Sequence, residues 1–127
     1  MMPEELRHGR YVSLTTYRKN GTGVATPLWY AVEGDALYIW TRADSWKVKR
    51  LRNDPKVEAA VCDMRGNIAD TAGRFTGRGR LVEGEEMRSI RRMLSRKYSW
   101  QFWLLDLPAT LARFGKRPHA GIVVTFD

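Results

Sequence analysis

Apolar and polar residues alternate along the first third of the chain in the way that half-buried β-strands require. Residues 10–17 alternate and are rich in β-branched and aromatic types, and residues 24–32 and 36–41 follow after short turns. The first turn centres on the Asn-Gly pair at 20–21, a pair typical of tight hairpins. The pattern predicts an antiparallel meander of three strands, in which Pro27 places the second strand at an edge or at a bend.

The rest of the chain predicts three further strands and two main helices. Residues 56–63, 74–82 and 119–126 have strand character, although glycines interrupt the second of them. Residues 45–52 and 83–98 carry apolar positions at helical spacing, with acidic residues opening the second helix and basic residues closing it. Six strands joined by hairpins, with helices inserted between them, predict a mainly β fold that closes into a six-stranded antiparallel barrel.

One apolar stretch near the end of the chain fits neither pattern well. Residues 100–107 are densely apolar and are predicted to be buried or to lie at an interface. Residues 109–114 predict one or two additional helical turns.

Length and composition fit a single domain spanning residues 1–127, with ordinary fractions of apolar and charged residues. The lone Cys62 cannot form an internal disulfide, which favours a reducing compartment. The first residues lack a signal-peptide pattern, and no apolar run approaches the ~20 residues of a membrane span. We therefore expect a cytoplasmic protein, and the net charge of +8 indicates an anionic partner.

One segment concentrates groups that bind anions. A predicted strand ends near Thr41, and a predicted helix begins near Ser45 with Lys47 in its first turn. The first amides of a helix lack internal acceptors and carry partial positive charge, so a helix start binds anions readily. Hydroxyl groups from Thr41 and Ser45 add donors, Lys47 adds a full charge, and Lys49 and Arg50 follow closely. The segment predicts a site for one phosphate group.

The spacing of these residues resembles a known phosphate loop. An aromatic residue and Thr41 are followed, after three residues, by Ser45-x-Lys47 and then by Asn53-x-Pro55. This pattern resembles the loop that grips the cofactor phosphate in the pyridoxamine phosphate oxidase-like split β-barrel superfamily. Further segments are similar to the actinobacterial branch that uses the deazaflavin coenzyme F-420. These segments are residues 10–16, 21–30, 34–38, 57–66 and 96–102.

Three departures from the FMN-using pyridoxamine oxidases favour the deazaflavin branch. Those enzymes carry Arg after the loop serine, where this chain has Trp46. They also carry a basic residue at the start of the second strand, and they end in an Arg-x-x-Pro signature that this chain lacks. Trp46 differs as well from the glycine that is common in the deazaflavin branch.

The resemblance implies a function and a set of phosphate contacts. It implies an F-420-dependent oxidoreductase that transfers a hydride between the reduced deazaflavin and a small organic substrate. Thr41, Ser45 and Lys47 would hold the phosphate, with Trp46 in the same loop. Lys49 and Arg50 would meet the anionic oligoglutamate tail of F-420; exposed basic residues without a ligand are the equally weighted alternative.

The resemblance also implies where the ring lies and how the chains assemble. Thr26, Pro27 and Trp29 would line the isoalloxazine side, although packing in the core is an alternative role for Trp29. In the superfamily the cofactor lies between the subunits of a homodimer. Cys62, Asp63 and residues 100–103 are therefore candidates to complete the site of a partner subunit.

The residues themselves supply no catalytic set and no metal site. His8 and His119 are far apart in sequence and lack a Cys or carboxylate at metal-ligand spacing. No Ser-His-Asp set, Cys-His set, glycine-rich phosphate loop or carboxylate pair is evident, so the cofactor is expected to carry the chemistry. Three alternatives remain: an FMN-dependent oxidoreductase of the same fold, a non-catalytic carrier of flavin, deazaflavin or haem, and, less favoured, a nucleic-acid-binding protein.

Overall fold

The structure is a computed structural model that describes residues 2–83, 85–98 and 119–127. Within these residues the chain forms seven strands and three helices. The strands are β1 (Tyr11–Tyr17), β2 (Gly23–Trp29), β3 (Ala31–Glu33), β4 (Ala36–Arg42), β5 (Lys56–Cys62), β6 (Phe75–Val82) and β7 (His119–Phe126). The helices are α1 (Glu4–Arg7), α2 (Trp46–Asn53) and α3 (Glu85–Tyr98).

The seven strands form one antiparallel sheet in the order β2-β1-β5-β6-β7-β4-β3. Its two edge strands, β2 and β3, are separated along the chain by Tyr30 alone. The sheet therefore has to curl until its edges approach each other, and β2 also lies against β4. This curled antiparallel half-barrel with inserted helices confirms the predicted mainly β split-barrel fold.

The sheet has seven strands rather than six because the predicted strand at residues 24–32 divides at Tyr30. The Tyr30 side chain is fully buried, and its hydroxyl donates a hydrogen bond to the carbonyl of Leu6 in α1, a helix that the sequence pattern did not reveal. Pro27 lies in the edge strand β2, which confirms its predicted position, since an edge strand tolerates the missing amide donor.

Strand β7 separates two apolar clusters, which explains its almost continuous apolar sequence. Ile122 and Val124 point into the main cluster inside the curled sheet, whereas Val123 points into a second cluster under α3. On that second side, a side chain at Gly121 would collide with Ile90 of α3. The glycine therefore permits the close approach of the helix to the sheet.

The glycines that interrupt residues 74–82 do not prevent strand formation. A Cβ atom at Gly77 would strike the carbonyl oxygen of Thr125 in the neighbouring strand. Close approach of β6 and β7 thus requires a residue without a side chain at this position.

Helix α2 is held against the barrel by a short apolar face. Val48 and Leu51, which are three residues apart, are both buried, and the helix packs against β1 and β6. The helix follows β4 after Ala43, Asp44 and Ser45. Its N-terminal end is consequently fixed just beyond the end of β4.

Two predictions lie outside the described residues: the buried or interfacial stretch at 100–107 and the helical turns at 109–114. Across the described residues, no helix combines the length and the apolar character needed to cross a membrane.

Candidate functional site

A cavity of about 990 Å³ opens beside the first turn of α2. Its walls come from the end of β4, the start of α2, strand β2 and the end of β1 with the turn that follows. This volume lies at the upper end of the usual range for ligand sites, ~300–1,000 Å³. The lining residues are Tyr17, Arg18, Lys19, Val24, Thr26, Thr41, Arg42, Asp44, Ser45, Trp46, Lys47, Lys49, Arg50 and Asn53.

Seven of the nine residues predicted from the sequence line this cleft together. They are Thr26, Thr41, Ser45, Trp46, Lys47, Lys49 and Arg50. The other two, Pro27 and Trp29, do not. Pro27 follows Thr26 in β2 and is exposed, because successive side chains of a strand point to opposite faces. Trp29 is half-buried against the apolar cluster under α3.

Ser45 occupies the N-cap position of α2, but its side chain makes no capping hydrogen bond. Its backbone is extended, with φ −71° and ψ 156°, as N-cap residues usually are. The Ser45 Oγ atom is buried, and no hydrogen-bond partner for it occurs among the described residues. A buried hydroxyl without a partner costs about 1–3 kcal/mol, so its presence at the cleft suits a polar ligand.

Lys47 lies in the first turn of α2 without a carboxylate partner in the part of the chain that the structure describes. Burial lowers the pKa of its ammonium group, and the nearby charges of Arg50 and Arg42 lower that pKa further. A cation that is both desolvated and repelled by its neighbours is stabilised by an anion. The environment of Lys47 therefore favours binding of a negatively charged group.

The cleft is strongly cationic as a whole. Six of its lining residues are Lys or Arg, and its one carboxylate is Asp44. Asp44 is already engaged by Arg42, with Oδ1 lying 3.0 Å from the arginine Nε. The Nε atom of Arg50 donates to Thr16 Oγ1 over 2.6 Å, which ties α2 to β1. Such a charge imbalance attracts ligands with several negative charges.

Trp46 forms an exposed aromatic rim at the same opening. Its side chain is 71% exposed, an uncommon degree for tryptophan. Lys49, one helical turn further on, places its Nζ atom 4.4 Å from the centre of the indole ring. The two side chains form a cation–π pair beside the first turn of α2.

Other lining residues were missed by the sequence analysis, among them Arg18, Lys19 and Arg42. Arg18 and Lys19 belong to the turn after β1, where basic residues are usually solvent-exposed. Their basic character was visible, but only the packing of α2 against β1 brings that turn to the cleft.

Cys62 and Asp63 line a different cavity of about 640 Å³, near α1 and the loop after β5. Burial raises the pKa of the Cys62 thiol, and Asp63 raises it further, which disfavours the reactive thiolate. Hydrogen bonds from the Asn67 amide, and others from the same loop, hold the pKa of Asp63 below its usual value.

His8 lies 3.1 Å from a Glu4 oxygen. No group of three metal-ligating side chains occurs within the described ranges.

The chain matches a known protein family along almost its whole length. The sequence model of the family described as Pyridoxamine 5'-phosphate oxidase matches residues 2–127. None of the curated proteins matches the chain.

Solved structures share the fold at low sequence identity. A conserved hypothetical protein from Mycobacterium tuberculosis is 24% identical, with a TM-score of 0.71 over 99% of this chain and 81% of that one. A structure described as an F-420 reductase is 22% identical, with a TM-score of 0.66 over 99% and 93% of the two chains. A FAD-binding protein from Mesorhizobium loti is 19% identical, with a TM-score of 0.67 over 98% and 86%.

Proposed function

This chain belongs to the pyridoxamine 5'-phosphate oxidase family, and on that basis we propose that its cationic cleft binds the phosphate of the deazaflavin F-420 for hydride transfer. The substrate is a small organic molecule that exchanges a hydride with the cofactor. FMN in the same cleft is the alternative cofactor.

The buried hydroxyl of Ser45 is the observation that carries the proposal. It lies at the first turn of α2, where helix amides offer further donors, and it lacks a partner within the described residues. A phosphate oxygen accepts hydrogen bonds from a hydroxyl and from amides at once. The residues present therefore fit a phosphate group.

The charge of the cleft favours F-420 over FMN. A single phosphate neutralises only part of a lining that holds six cations and one carboxylate. F-420 carries additional carboxylates on its oligoglutamate tail, so it supplies more negative charge to the same surface. The solved structure described as an F-420 reductase, similar over 99% of this chain, also supports this choice.

The bound cofactor supplies the hydride chemistry, and the protein supplies binding and orientation. Thr41, Ser45, Lys47 and the first amides of α2 fix the phosphate, while Thr26 lines the cleft nearby. We also propose that two chains form a homodimer around the cofactor. Pro27, Trp29, Cys62 and Asp63 do not line this cleft in one chain, and we propose that they reach the ring across the dimer.

Replacing Lys47 with alanine tests the anion site directly. The ammonium group contributes a charge-assisted contact, so Lys47→Ala is expected to weaken F-420 binding about 10- to 100-fold. Titration of the purified protein with F-420 and with FMN, followed by fluorescence and absorbance, measures both affinities.

Arg52→Ala is the matched control for that experiment. It removes one positive charge from the same helix, but Arg52 is exposed and does not line the cleft. The control should bind F-420 nearly as tightly as the wild type. Equal losses in the two variants would indicate a general charge effect, and unchanged affinity in Lys47→Ala would remove this lysine from the site. Tight binding without turnover of any acceptor would indicate a carrier instead of an enzyme.

A further inference from the structure

Thr16 is a buried polar residue on the inner side of the candidate site. It lies in β1, is completely buried and does not line the cleft. Its Oγ1 atom accepts a hydrogen bond of 2.6 Å from the Nε atom of Arg50, 34 positions later in the chain. Arg50, by contrast, is part of the cleft wall.

Arg50 lies among like charges at the cleft wall. Burial lowers the pKa of its guanidinium group, and the charge of Arg18 lowers it further. Lys47, one helical turn away, is also repelled by Arg50. A long, flexible side chain in these surroundings gains by swinging out into solvent, where water screens the repulsion. The hydrogen bond to Thr16 opposes that movement.

The hydrogen bond is not the only attachment of the helix. Val48 and Leu51 are buried, and they dock α2 against the barrel through apolar contacts. What Thr16 adds is orientation, because it engages Nε, and no partner of the two terminal guanidinium nitrogens occurs among the described residues. Terminal guanidinium nitrogens bind phosphate and carboxylate oxygens in pairs.

We propose that Thr16 is a positioning residue for the anion site: it holds Arg50 at the cleft wall in the orientation that binds the anionic ligand. The inference rests on the proposed function, since it assigns Thr16 a role in that same site. It predicts that Thr16 acts on ligand binding through Arg50 alone.

Three variants of β1 test the proposal. Thr16→Val removes the hydroxyl and keeps the shape, and it should weaken binding of F-420 and of inorganic pyrophosphate about three- to tenfold. Thr16→Ser restores an acceptor and should recover most of the affinity. Thr15→Val makes the same chemical change one position earlier, on the opposite face of the strand, and should bind like the wild type.

A double-mutant cycle separates positioning from general damage to the fold. In an Arg50→Met background, Thr16→Val should cause no further loss of affinity, because the group it positions is gone. An equal loss in both backgrounds would overturn the proposal. So would unchanged affinity in Thr16→Val, or an Arg50 Nε–H resonance whose hydrogen exchange is the same with and without the Thr16 hydroxyl.

The outcomes also distinguish this inference from the proposed function. If the wild type binds pyrophosphate but neither F-420 nor FMN, the cofactor assignment fails while the coupling between Thr16 and Arg50 is still measured. If the wild type binds F-420 and the cycle shows no coupling, only the positioning role fails. If it binds none of these anions, both fail.

Discussion

Ser45 stands at the N-cap of α2, but its side chain does not cap the helix. A serine at the N-cap normally stabilises its helix by about 1 kcal/mol through a side-chain hydrogen bond, but this serine makes none. Ser45→Ala is therefore expected to leave the free energy of unfolding unchanged or to raise it by up to ~1 kcal/mol. The same change should weaken F-420 binding about tenfold.

Thermal unfolding and cofactor titration of this variant measure the two effects separately. Ser89→Ala, on the exposed surface of α3, is the control for loss of a serine hydroxyl and should alter neither quantity. A clear loss of stability in Ser45→Ala, with affinity unchanged, would show that the hydroxyl serves the fold and not a ligand.

Lys47 predicts a pH dependence of binding. Because burial, Arg50 and Arg42 lower its pKa, the ammonium group loses its proton at a lower pH than an ordinary lysine does. Affinity for F-420 should fall as the pH rises through this lowered pKa, which a titration series run upward from neutral pH would detect. Lys47→Arg keeps its charge throughout that range and should flatten the profile.

The same shift acts in the opposite direction on the stability of the free protein. Between the lowered pKa and the ordinary value, the unfolded chain binds more protons at Lys47 than the folded chain does. The contribution of Lys47 to the free energy of unfolding therefore rises with pH over that interval. If affinity and the free energy of unfolding changed in the same direction with pH over that interval, this account of Lys47 would be contradicted.

At the scale of elements, Tyr30 connects the two edges of the sheet. Its hydroxyl donates to the Leu6 carbonyl, and its ring lies 3.7 Å from Lys97 Nζ. Tyr30→Phe keeps the ring and loses the hydrogen bond, so it should destabilise the protein by about 1 kcal/mol without changing cofactor affinity. Urea unfolding measures the loss, and Tyr38→Phe, on a half-buried tyrosine of β4, is the control.

Element boundaries show where local sequence signals are sufficient. The alternation in β1 and β4 and the apolar spacing in α2 agree with the observed elements to within one residue at each end. Alternation did not indicate the division at Tyr30, a buried residue whose hydroxyl donates a hydrogen bond to a residue 24 positions earlier. Helix α1, of four residues, is too short to show a period.

At the scale of the molecule, the sequence predicted the part of the cleft that residues 41–50 form. Residues 41–50 follow each other along the chain, so their helix-start chemistry is local. Arg18 and Lys19 join them only because the sheet curls and α2 packs on β1. Pro27 and Trp29 were assigned through the family resemblance, and in one chain the alternation of β2 directs them away from the cleft.

Lys47, which has no carboxylate partner among the residues that the structure describes, has a consequence for the lifetime of the protein. Any anion that binds there favours the folded state by mass action, in proportion to its concentration relative to its dissociation constant. Under the proposed function the cofactor is such an anion, so chains made in its absence are expected to unfold more often and to be degraded sooner.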